Sequence, residues 1–111
     1  MAQKYYIGRD WFFWWSHLDA NDDPVENFET NTYYVAVQLA TAKSSVDPVA
    51  RIECTKTLAT GELYAELGNA TTDALQAGTY TVYYEIIDAS GHLVGLADRD
   101  ITVEEAPNWE A

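Results

Sequence analysis

Glu62-Leu63-Tyr64-Ala65-Glu66-Leu67 is the stretch that decides the fold class. Leu63, Ala65 and Leu67 fall on one side of an extended chain. Glu62, Tyr64 and Glu66 fall on the other, the period of two that marks a half-buried strand. The same period recurs on both sides of it. Tyr33, Val35, Val37 and Leu39 alternate with Tyr34, Ala36 and Gln38, and Ile52 and Cys54 alternate with Arg51, Glu53 and Thr55. Tyr80, Val82, Tyr84 and Ile86 alternate with Thr79, Thr81, Tyr83 and Glu85, and Ile101 and Val103 with Asp100, Thr102 and Glu104. β-Branched and aromatic residues fill these runs, as a pleated surface prefers. Two further strands are expected at Lys4–Ile7 and Trp11–Leu18.

Turn chemistry separates the runs at short intervals. Asp19 to Pro24, Ser44 to Pro48 and Thr60-Gly61 read as loops, and Asp88-Ala89-Ser90-Gly91 as a hairpin in which Gly91 takes a positive φ. The one helical candidate is Thr71–Gln76, ended at Gly78 and limited to a turn or two. The sequence therefore predicts an all-β protein, an antiparallel immunoglobulin-like β-sandwich of about seven strands with at most one short helix. A small closed barrel is the structural competitor. Residues 1–104 form the expected single domain, and 105–111 an acidic C-terminal tail.

The chain has 111 residues, 48% of them hydrophobic and 14% aromatic, enough for one core and unlike a disordered segment. Its 18 acidic residues against 6 basic ones give a net charge of -12. Such a surface repels phosphate backbones and anionic lipid, so neither nucleic acid nor membrane is an expected partner. The N-terminus has no apolar run ahead of a small-residue cleavage site, so synthesis in a cytoplasm without secretion is expected. Cys54, the only cysteine, permits no intrachain disulfide and reads as a small buried hydrophobe.

No catalytic constellation emerges, and neither an enzyme activity nor a cofactor is expected. Asp19, Asn21 and Asp23, with Glu26 nearby, have the alternate spacing of a calcium loop. The central glycine and distal glutamate of that motif are missing, and Asp and Asn are also the ordinary residues of an exposed turn. No metal site is expected. His17 and His92 are too few and too far apart for a transition-metal site, and no Gly-x-Ser-x-Gly nucleophile elbow is present.

The unusual feature is the run Trp11-Phe12-Phe13-Trp14-Trp15. In a strand, Trp11, Phe13 and Trp15 point one way and Phe12 and Trp14 the other. A sandwich core takes only one of those faces. Three explanations compete: a strand that kinks and changes sheets so that both faces become core, a protein interface, and a sugar-stacking platform. Tyr64 and Tyr83, expected to point outward, add to the interface reading. Trp11, Phe12, Trp14, Trp15, Tyr64, Tyr83 and Trp109 of the tail are the candidate contact residues. A sugar platform would also need polar partners such as Asp10 or Gln38 beside the rings.

Several motifs bear a family resemblance. Gly8-Arg9-Asp10-Trp11, Asp22-Asp23-Pro24-Val25-Glu26, Leu75-Gln76-Ala77-Gly78-Thr79-Tyr80, Asp88-Ala89-Ser90-Gly91 and Asp100-Ile101-Thr102-Val103 follow one another along the chain. This succession resembles the small immunoglobulin-like β-sandwich virion proteins of tailed bacteriophages, and is similar to the N-terminal domain of upper baseplate proteins. The chain departs from them in its Trp-rich second strand and at Asn27-Phe28, where they tend to carry Asp-Leu. The resemblance implies a virion structural role, as a capsid decoration or cement protein or a tail or baseplate adaptor. It implies major capsid or tail and baseplate proteins as partners, and leaves homo-oligomerisation open. The alternative is a carbohydrate-binding β-sandwich module.

Overall fold

The computed structural model describes residues 3–41 and 48–105. Two sheets face each other across an apolar core. One has five strands in the order β1 (Gln3–Tyr6), β8 (Leu93–Glu104), β7 (Gly78–Ile87), β3 (Thr32–Leu39) and β4 (Ala50–Glu53). The other has three, in the order β2 (Trp11–Ser16), β6 (Glu62–Leu67) and β5 (Thr55–Thr57). The order β8-β7-β3-β4 is the G-F-C-C′ order of the immunoglobulin fold, and β2-β6-β5 is its B-E-D order. An open sandwich of this connectivity replaces the barrel alternative. Every pairing is antiparallel except β1 with β8, where Gln3 lies beside Ile101 and Tyr6 beside Glu104.

Period-two alternation sends Phe13, Tyr33, Val35, Val37, Leu63, Ala65, Leu67, Tyr80, Val82, Ile101 and Val103 into the core. Tyr80 stands near the start of β7, and its hydroxyl donates to the Gln76 carbonyl at 2.8 Å. This is the tyrosine corner of immunoglobulin sandwiches. Two residues on, where antibody domains carry a cysteine, Val82 is fully buried. Apolar packing here takes the place of the intersheet disulfide.

Among the described residues eight strands stand where about seven were expected. The expected strand around Ile52 and Cys54 divides at Cys54: β4 belongs to the five-stranded sheet and β5 to the three-stranded one. β8 starts at Leu93, seven residues ahead of the expected run, because β7 pairs with the added residues as far as Leu93, with one irregularity that leaves Val94 without a partner in the ladder. The helix also lies earlier than predicted. It is a single turn, α1 (Asn69–Thr72), and long-range contacts fix it. The Asp10 carboxylate accepts from the Asn69 N–H at 2.7 Å, and the buried Thr72 hydroxyl donates to the Arg9 carbonyl at 2.7 Å. The Gly8-Arg9-Asp10 turn thus carries the chain from one sheet to the other and anchors α1 across the sandwich.

The hairpin signal at Asp88 holds. Its Oδ1 accepts from the N–H groups of Ser90 and His92, and Gly91 has φ +87°. Those bonds, the one from His92 first, keep the Asp88 carboxyl below its ordinary range. The β5–β6 turn needs glycine twice over. Gly61 has φ +74°, and a Cβ there would stand 2.6 Å from Leu18 Cδ2.

Candidate functional site

β2 divides its aromatic side chains between two environments. Trp11 is 1% exposed, with its Nε1 donating to the Tyr6 carbonyl at 2.8 Å and its ring 5.2 Å from that of Tyr5. Phe13 is equally buried and stacks on Tyr5. Trp15 is half-buried, its ring against Tyr33 and Tyr84 and its Nε1 donating to Cys54 Sγ at 3.4 Å. Trp11 and Trp15, expected among the contact residues, therefore serve the core. Burial of Trp11 costs nothing in polar terms, because its one N–H has a partner.

Phe12 and Trp14 point the other way and are 46% and 69% exposed. The antiparallel register sets Trp14 directly opposite Tyr64 and Phe12 opposite Glu66. Tyr64 lies 4.3 Å from Trp14 and 6.2 Å from Phe12, centroid to centroid. Its hydroxyl donates to Glu66 at 3.0 Å, and partial desolvation first, then that carboxylate, hold the phenol above its ordinary pKa. The result is an aromatic ridge on the outer face of the three-stranded sheet, framed by Glu62 and Glu66. The chain does change sheets between β1 and β2, as the first explanation required, yet the second face of β2 stays open.

The other candidate contact residues lie elsewhere. Tyr83 sits on the outer face of the five-stranded sheet, beside Ala36 and Asp98, on the opposite side of the molecule from the ridge. Trp109 and the tail beyond Glu105 lie outside the described residues, as does most of the Ser44–Pro48 loop. Gln38, a suggested polar partner for a sugar, is buried in β3 and its Oε1 accepts from the Leu39 N–H.

No protein family matches the chain, and no curated protein matches it.

The acidic loop folds on itself. Asp19 Oδ1 accepts from the N–H groups of Asn21 and Asp23 at 2.8 and 3.1 Å, and Leu18 bridges Pro24 beneath it. The carboxylate that would lead a cation site is thus engaged in turn chemistry. Among the described residues, no three His, Cys, Asp or Glu side chains converge. Cys54 is buried, and desolvation pushes its thiol up to about 11. A thiol so protonated is a poor nucleophile at neutral pH.

Most of the cations are tied down within the fold. Arg51 forks onto Glu85 at 2.9 Å and lies over the Tyr34 ring. Lys56 donates to the carbonyls of Phe28, Glu29 and Asn31, and Lys4 lies 3.5 Å from Glu104. Arg99 donates to the hydroxyls of Tyr84 and Tyr5. Arg9 is exposed, and its side chain makes no ion pair or hydrogen bond among the described residues. It lines an open cleft of about 380 Å³ with Lys4, Tyr6, Asp10, Phe12 and Trp14, between β1 and β2.

Proposed function

We propose that this protein is a non-enzymatic structural component of a tailed-bacteriophage particle, bound to a neighbouring virion protein through the Phe12–Trp14–Tyr64 ridge. The neighbour is a major capsid protein or a tail or baseplate protein. The observation that carries the reading is the ridge itself, three aromatic rings outside a core that is already complete without them. Contiguous aromatic surface of this kind marks interaction sites, and Trp and Tyr supply much of the energy at their centres. Glu62 and Glu66 beside the rings suit a partner that presents apolar groups within a basic surround. The resemblance to phage sandwich proteins supports the choice of particle. The net charge of -12 fits it too, since free copies repel one another until a complementary surface is met. Repetition over a symmetric particle lets individually modest contacts hold.

A carbohydrate-binding role is the second reading, and Asp10 in the cleft beside Phe12 and Trp14 is the observation in its favour. Against it, the three rings spend part of their surface on one another, and Gln38 is buried in the other sheet.

Immunogold electron microscopy of particles, using antibody that recognises the folded chain, tests the proposal. Gold over heads identifies a decoration or cement protein, and gold at one end of the tail an adaptor. Particles that stay bare rule the virion role out. Trp14→Ala should leave the fold intact and strip the label. A saturable change in tryptophan fluorescence on adding soluble glycans would move the assignment to sugar binding.

A further inference from the structure

Among the described residues four strands lie at sheet edges, and three of them are protected. β1, β4 and β5 have three or four residues each and carry Lys4, Arg51 with Glu53, and Lys56 respectively. Short length and charge are how folded proteins keep open edges from pairing. β2 is the exception. It has six residues, Trp-Phe-Phe-Trp-Trp-Ser, with no charge, no proline and an unbroken register against β6. Its open side exists because β1 joins β8 in the other sheet instead of flanking β2.

Hydrogen-bond parity shows which backbone groups face that side. The His17 N–H donates to the Gly61 carbonyl at 3.0 Å, in the same register that pairs β2 with β6. Bonded and non-bonded pairs alternate along an antiparallel ladder. Trp15, Phe13 and Trp11 therefore bond to β6, while the N–H and C=O groups of Phe12, Trp14 and Ser16 point away from it.

We propose that this edge pairs with the same edge of a second copy of the chain, β2 against β2 around a two-fold axis at Trp14. The edge complements itself in three respects. Trp14 of one copy meets Trp14 of the other, and Phe12 meets Ser16, so each pair is of the bonded type and all outward N–H and C=O groups are used. Side chains keep their faces: Phe13 and Trp15 stay on the core side, and the two aromatic ridges join into one. The antiparallel arrangement also sets Arg9, at one end of β2, beside the Asp19–Asp23 loop at the other end of the second copy. Such a pair is isologous and closed, so it stops at two copies. The contact uses the backbone edge of β2, not its outer face, and so stands apart from the virion assignment.

Sedimentation velocity of the purified full chain over a hundredfold concentration range tests it. A dimer that dissociates on dilution is expected, and it should strengthen with salt because two copies of charge -12 repel. Hydrogen exchange should show the amides of Phe12, Trp14 and Ser16 becoming protected as concentration rises, while those of Trp11, Phe13 and Trp15 are protected throughout. Ser16→Pro removes an outward N–H that has no partner among the described residues, a substitution edge strands tolerate. It deletes two of the six intermolecular hydrogen bonds and should weaken the dimer at least about tenfold, whereas Ser16→Ala leaves it unchanged. A chain that stays monomeric across the range overturns the proposal. So does a dimer that Ser16→Pro leaves intact, whether or not Trp14→Ala breaks it, because the contact then lies elsewhere.

Discussion

Trp11 and Trp14 are the same residue type on the same strand, three positions apart, and alanine at each should have very different effects. Trp11 is 1% exposed in the core, so Trp11→Ala opens a cavity among Tyr5, Phe13 and their neighbours. Truncations of this kind cost about 3–5 kcal/mol. The indole bond to the Tyr6 carbonyl is lost as well, at about 1 kcal/mol. Trp14 is 69% exposed and loses chiefly its contact with Tyr64, worth about 0.5–1.5 kcal/mol. A domain of this size has a total stability of about 5–15 kcal/mol. Trp11→Ala therefore leaves a marginal or unfolded chain, while Trp14→Ala remains well folded. Equilibrium urea unfolding followed by far-ultraviolet circular dichroism measures both, and the Trp14 variant should keep the wild-type dependence on denaturant. Equal losses at the two positions would refute the placement of β2. A register slip of one residue exchanges its faces, and the order of the two costs would then reverse.

Burial lowers the pKa of His17, whose Nδ1 lies 2.8 Å from the Tyr33 hydroxyl. The folded state then binds fewer protons than the unfolded one, so stability is complete above the unfolded value near 6.5 and falls as pH drops from there towards the folded pKa. Thermal melts between pH 8 and pH 5 should show this decline, and His17→Gln should flatten it; a wild-type melting temperature that rises on acidification contradicts the assignment. Cys54 should resist iodoacetamide in the folded protein and react only at the rate of unfolding. Prompt stoichiometric labelling under native conditions would show the thiol to be accessible. Tyr80→Phe removes the bond to the Gln76 carbonyl and should cost about 1 kcal/mol, a fall of roughly 4–8 °C in melting temperature. No measurable fall would mean that the corner is decorative.

Alternation made much of this fold readable before any coordinates. The split of β2 into a Trp11–Phe13–Trp15 face and a Phe12–Trp14 face follows from extended geometry alone, and so does the outward Tyr64. Which face the core takes is a matter of partners, which local sequence does not contain. The sequence groups Trp11 and Trp15 with the contact residues because nothing local distinguishes an indole that will meet Tyr5 from one that will meet water. The same limit explains the rest. A chain crossing between sheets at Cys54 looks, in sequence, like one continuous strand. The first half of β8, Leu93 to Arg99, lacks strict alternation because both of its faces are largely exposed, and only the ladder to β7 keeps it extended. α1 starts at Asn69 because a carboxylate from residue 10 caps it, a partner that no window of local sequence contains. The open edge of β2 was invisible for a further reason. It depends on β1 leaving for the other sheet, which is a property of topology and not of composition.

The parallel pairing of β1 with β8 sets a timetable. Gln3 finds its place only beside Ile101, so a segment made early in this domain waits for one made much later. Until β8 arrives, β7 lacks a neighbour on one side, and Tyr5 has nothing to hold it over Trp11 and Phe13. A nascent chain can assemble the β2–β6 ladder and the β3–β7 ladder earlier, but the two sheets cannot be sealed at this side. Closure of contacts so distant in sequence is slow compared with local pairing. Until β8 is in place, the side of the core where Tyr5 packs on Trp11 and Phe13 therefore stays unsealed.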